Sequence, residues 1–156
     1  PNTFFISIFS EEKLSCVGST LWYLKDKYYS ELDLKCLCLY FNSIVNLIQM
    51  ILVKSETLGA AYLRLLKNDW KLIKILNVQK LTNSEKQTLL NLFEELKDVE
   101  FPSILEQLEN RFWARVELDK TILKILGFSD KEINEWLPKV YDALVEELKA
   151  MKNVGK

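Results

Sequence analysis

Two polar groupings in this chain have the spacing to do chemistry. Asn42, Asn46 and Gln49 fall at i, i+4 and i+7 in a stretch with no charge from residue 36 to 53. On a helix they form one stripe of amides, able to donate and accept hydrogen bonds along one face. Further on, Arg64, Lys67, Lys71 and Lys74 are interleaved with Tyr62 and Trp70. Cations beside aromatic rings suit phosphate contact with stacking nearby. Lys67, Lys71 and Lys74 share one face if the segment is helical. The alternative is a solvated amphipathic face with Trp70 in the core, and by the residues alone it is the simpler account.

Other chemistries lack their parts. The chain has no histidine, which removes Ser-His-Asp and Cys-His catalysis and the commonest metal ligand. Carboxylates adjoin at Glu94/Glu95, Glu117/Asp119 and Glu146/Glu147, but neighbouring helical carboxylates point apart and usually form a solvated face. Asp119 lies four residues after Arg115, so an internal ion pair is expected there. The four glycines are isolated, so no phosphate-binding or dinucleotide loop is present. Cys16, Cys36 and Cys38 lack framework spacing and read as reduced thiols of an intracellular protein, buried as small hydrophobes. No catalytic and no metal-binding residue is assigned.

The elements that must position these groups are mostly helices. The 156 residues suit one domain, with 49% apolar residues for its core. Four glycines and three prolines are far fewer than average usage of about 12% would supply, which argues against a sandwich of short strands. Net charge is −1, so no overall basic field is available for nucleic acid, although a local basic patch is.

Along the chain, residues 3–9 and 14–24 read as two strands of a hairpin, with Gly18 as a bulge. A long helix is expected over 32–53. Its uncharged part approaches the length of a membrane span, but three amides facing lipid would be costly, so it reads as a central helix buried in protein. Residues 60–66 fit either strand or helix. Asn68 or Asp69 can cap a short helix to Lys74. Thr82 with Glu85, Ser103 with Glu106 and Ser129 with Glu132 are capping boxes. The first opens a helix to about Lys97. The second opens one running on to a stop at Gly127. The third opens a helix that Pro138 should divide, with Pro138 as the first residue of a last helix through Met151. Trp22, Trp113, Trp136 and Tyr141 read as core or interface aromatics. The expected fold is mainly α with a small N-terminal β-hairpin (α+β): a single domain over 1–156, with hairpin and linker in 1–29 and five to six helices in 30–156 packed as an irregular bundle.

Four short motifs follow one another in a telling order. Asn42-Ser43 lies within an apolar helix. Glu56-Thr57-Leu58-Gly59 comes next, then Lys67-Asn68-Asp69. Leu81-Thr82 is followed by the run from Pro102 to Leu108. Arg115-Val116-Glu117-Leu118-Asp119 precedes Leu126-Gly127 and a closing helix with Leu137-Pro138 and Tyr141. Over residues 30–151 this resembles the C-terminal region of large prokaryotic N6-adenine DNA methyltransferases of restriction-modification type.

The resemblance implies a fragment of a longer chain whose catalytic half binds S-adenosylmethionine. The proline-pair tetrapeptide and glycine loop of that half are absent here, so this chain carries no cofactor and no methyl transfer of its own. It would engage DNA as part of the parent protein and pack on the catalytic domain in the cytoplasm, away from any membrane. DNA-facing residues would be Arg64, Lys67, Lys71 and Lys74. Glu56, Thr57 and Gly59 would shape the adjoining loop, anchored by Asn42, Asn46 and Gln49 through buried amide hydrogen bonds. Leu58 departs from the basic residue often found there. A helical protein-interaction module without nucleic acid is the alternative, with self-association through an exposed apolar face. A small-molecule pocket lined by the amide stripe is a third reading.

Overall fold

Four helix starts share one local device, a Ser or Thr followed three residues later by an acidic side chain. In the computed structural model, which describes residues 10, 28–53 and 68–154, all four are closed capping boxes. Thr82 Oγ1 accepts from Glu85 N at 3.2 Å while Glu85 accepts from Thr82 N at 2.7 Å. Ser103 with Glu106 and Ser129 with Glu132 repeat the exchange. Ser30 with Asp33 adds a fourth that the sequence reading passed over.

Six α-helices result among the described residues: α1 (Glu31–Asn42), α2 (Ile44–Val53), α3 (Asn83–Leu96), α4 (Ile104–Glu109), α5 (Trp113–Ile125) and α6 (Asp130–Val154). No strand occurs among those residues. The hairpin expected over 3–9 and 14–24 lies outside them.

The helices enclose two apolar clusters. The first joins Cys36, Leu37 and Tyr40 of α1 to Leu89 and Leu92 of α3 and Leu118 and Ile122 of α5. The second joins Ile44, Leu47 and Ile51 of α2 to Leu108 of α4 and Ile133, Leu137 and Tyr141 of α6. α1 and α2 therefore serve different clusters, and the chain must turn between them. Burying each such aliphatic side chain is worth about 1.5–3 kcal/mol, so two filled clusters outweigh the hydrogen bonds lost at one turn.

That turn corrects the long helix expected over 32–53. The helix breaks at Ser43, whose ψ of 162° is extended, and its two parts differ in direction by 61°. No single described helix is long and apolar enough to cross a membrane, although the bent pair would pass by length and composition.

Two more helix boundaries differ from expectation. The helix expected from Ser103 to Gly127 is interrupted at Asn110–Phe112. Phe112 N donates to Gln107 O at 2.9 Å and Arg111 N to Leu108 O at 3.4 Å, the bond pattern of a Schellman turn. Its left-handed residue is Arg111, with φ 49°, where the usual glycine is missing. Conversely, Pro138 does not divide α6, which runs unbroken past it. Asn134 and Pro138 are both exposed, so water can reach the carbonyl that proline leaves without a donor. Ile133, Leu137, Tyr141, Leu144 and Leu148 keep one buried face on both sides of it.

The aromatic residues divide. Tyr141 is fully enclosed, whereas Trp113 and Trp136 are 49% and 62% exposed, so neither tryptophan is a core residue. Trp22 lies outside the described residues.

Candidate nucleic-acid interface

The elbow at Ser43 is closed by side chains. A helix end leaves its last carbonyls without donors, and a helix start leaves its first amides without acceptors. Tyr40 O accepts from Ser43 Oγ at 2.7 Å. Phe41 O accepts from Asn46 Nδ2 at 2.8 Å. Asn42 O accepts from the Arg115 guanidinium. On the far side, Ile44 N donates to Asp119 Oδ1 at 2.7 Å. Arg115 and Asp119 thus cap both sides of the elbow from α5, more than seventy residues away in sequence.

The two are also the expected ion pair, at 3.5 Å and both buried. Arg115 Nε donates to Gln107 Oε1 at 2.9 Å, and Tyr141 Oη donates to Asp119 Oδ2 at 2.7 Å. Burial pushes the Asp119 carboxyl above its ordinary value; the Arg115 charge and the Tyr141 and Ile44 hydrogen bonds oppose it. The Tyr141 hydroxyl is pushed up by burial and then by the neighbouring carboxylate charge. This cluster is filled and internally bonded, so its chemistry is structural.

The amide stripe is divided by the same elbow. Asn42 Nδ2 donates to Cys38 O within α1 at 2.9 Å, and Asn46 turns back to α1. Its Oδ1 accepts no hydrogen bond from the described residues. Gln49 reaches outward to the segment after the elbow. Lys74 N donates to Gln49 Oε1 at 2.7 Å, and Gln49 Nε2 donates to Lys74 O at 3.1 Å. Tyr40 Oη donates to the same Lys74 O at 2.6 Å and accepts from Gln49 Nε2 at 3.0 Å.

Of the four expected DNA-facing residues, Lys71 and Lys74 are described, and both are exposed. They do not share an α-helical face. Among the described residues 68–74, helical turns extend only over Asp69–Lys71, as a 3-10 helix, and Asn68 makes no side-chain cap. Burial of Ile73 and the Gln49 and Tyr40 bonds to Lys74 take the chain out of helix. Lys71 Nζ donates to Asn68 Oδ1 at 3.1 Å. Trp70 is half-buried. Arg64, Lys67, Glu56, Thr57 and Gly59 lie outside the described residues, so the loop that the amides were expected to anchor does too.

Tyr40 and the capping role of Arg115 were missed in the sequence. Neither has a local signal, because their partners are set by the elbow. Burial raises the Cys36 thiol to about 11, which makes it a poor nucleophile. A shallow groove of about 220 Å³ lies between α5 and α6, with Arg111, Lys120 and Asn134 around Val116, Ile133 and Leu137. It lies away from the amide stripe that was expected to line a pocket. No cluster of His, Cys, Asp or Glu suited to a metal occurs among the described residues.

No family model, no curated protein and no solved structure matches this chain.

Proposed function

We propose that this chain is the noncatalytic C-terminal domain of an adenine-specific DNA methyltransferase of restriction-modification type. It assists target DNA engagement in the cytoplasm and packs on a catalytic domain that binds S-adenosylmethionine. One observation carries the reading. Asn42-Ser43 and the Arg115–Asp119 motif, the first and last motifs of the resemblance, meet at one buried elbow. Motifs far apart in sequence that close one structural joint behave as the signature of one fold, which supports treating the resemblance as common architecture. Lys71 and Lys74, exposed beside that elbow, are the described DNA-facing residues, with Arg64 and Lys67 completing the set.

The test is a salt titration of the chain with duplex DNA. Affinity should fall steeply with salt, and each phosphate contact removed should flatten the log–log slope by about 0.9. Charge-neutral variants at Lys67 and Lys71 should do so; an unchanged slope removes them from the interface.

A helical protein-interaction module is the second reading, favoured by the exposed Trp113, Phe128 and Trp136. It predicts concentration-dependent self-association, with no salt-sensitive DNA binding.

A further inference from the structure

We infer that Tyr40 and Gln49 are positioning residues for DNA engagement, acting through the main chain of Lys74. The inference rests on the DNA-binding reading and adds how the basic segment is held.

The geometry starts at the elbow. Tyr40 and Gln49 are nine positions apart, which on an unbroken helix would separate them by about 13 Å along the axis. The 61° bend brings Gln49 Nε2 to 3.0 Å from Tyr40 Oη. The pair then grips one residue of another segment. Gln49 pairs with both the N–H and the C=O of Lys74, as a neighbouring strand would, and Tyr40 adds a second donor to that C=O. The amide can face only one way: its oxygen meets an N–H donor and its nitrogen two oxygen acceptors.

The consequence concerns a cation. Ile73 is buried and Lys74 is held by three hydrogen bonds to its main chain, while the Lys74 side chain is exposed. A lysine whose backbone is already fixed has less freedom to lose when it meets a phosphate than one on a loose segment. Releasing the clasp therefore weakens binding while leaving the number of phosphates neutralised unchanged. Positioning variants lower affinity at every salt concentration with the same slope, whereas charge variants change the slope.

The test uses the full 156-residue chain and a fluorescently labelled random-sequence DNA duplex, titrated across a salt series. Gln49→Met keeps the volume and removes the amide. It should weaken binding about fivefold without altering the slope. In a Lys74→Ala background the same change should cost less than about twofold, because the residue it positions has lost its charge. A general loss of folding would instead lower affinity equally in both backgrounds. Tyr40→Phe retains the Gln49 bonds to Lys74 and gives a smaller effect of the same form; it carries the test if Gln49→Met does not fold.

A folded Gln49→Met chain that binds like the wild type overturns the inference. So does an undiminished loss in the Lys74→Ala background. A wild-type chain without salt-sensitive binding overturns the DNA reading and this inference together. Faster hydrogen exchange at the Lys74 amide in Gln49→Met would then show the clasp to be purely structural.

Discussion

The helix starts at Thr82, Ser103 and Ser129 and the elbow at Ser43 face the same problem: backbone groups with no partner inside their helix. At the three starts the partners lie three residues away and at the surface. At the elbow Ser43 and Asn46 close two carbonyls locally, and the partners of Asn42 O and Ile44 N come from Arg115 and Asp119 on α5, inside the protein. A local cap forms with its own turn, and its loss exposes amides that water can reach. A distant cap forms only when the whole bundle closes, and its loss leaves buried groups with nothing in exchange. The same chemistry should therefore have very different energetic weight in the two regions.

The largest expected effect breaks the elbow. Asp119→Ala removes the acceptor for Ile44 N–H and Tyr141 Oη and strands the buried Arg115 charge. Urea denaturation should register a loss of about 3–5 kcal/mol. A loss below about 1 kcal/mol would put the elbow on the same footing as a surface cap. Because Asp119 is buried, DNA binding by the remaining folded chain should be unchanged; a selective binding defect at wild-type stability would contradict its structural role. Tyr141→Phe removes one buried bond to the same carboxylate and should cost about 2 kcal/mol by the same measurement.

Smaller effects belong to the local ends. The turn after α5 places Gly127 at φ 94°, with open space where a Cβ would sit. Gly127→Ala should therefore cost about 1–2 kcal/mol through backbone conformation alone. An unchanged thermal midpoint would show that the turn relaxes. Ser129→Ala should cost about 1 kcal/mol; a loss as large as that of Asp119→Ala would erase the contrast between local and distant caps.

Acid sharpens the comparison because the two regions respond with opposite sign. Glu85, Glu106 and Glu132 are held below their usual 4.5, first by the Thr or Ser side chain each one meets. Their contribution is complete above 4.5 and fades as pH falls through the lowered value. Burial raises Asp119 above 3.8, so between 3.8 and its raised value the folded state holds more protons than the unfolded state. Stability from that group therefore increases as pH falls through this window. As pH is lowered from neutrality, the wild type should gain on Asp119→Asn and lose on Glu132→Gln. Urea midpoints of the three proteins across pH measure both trends; trends of equal sign would refute the assignment.

How much of this was legible varies by residue. The boxes at Thr82, Ser103 and Ser129 were readable because donor and acceptor lie within one turn. Gly127 was readable because glycine tolerates the left-handed conformation. Arg111 takes that same conformation without glycine's signature, so the break before α5 went unseen. What holds it is tertiary: its guanidinium pairs with Asp142 and lies 5.0 Å from the Tyr141 ring centre. Pro138 was over-read, since its cost depends on whether Asn134 O faces water or core. Of the candidate site, the residue types at Gln49, Lys71 and Lys74 were visible. Their relation was not, because Lys71 and Lys74 were placed on a helix that the Lys74 main chain does not join.

The amino-acid sequence by itself determined a mainly helical chain, its capped starts, the glycine stop and the ion pair between Arg115 and Asp119. Each depends on groups within four residues of one another, where chain geometry alone sets the distance. Tertiary structure decided where apparently continuous helices bend, which polar side chains close the bends, and which lysine is held by them. Those outcomes depend on two apolar clusters competing for one chain. The elbow forms because filling both is worth more than keeping α1 and α2 in one straight helix.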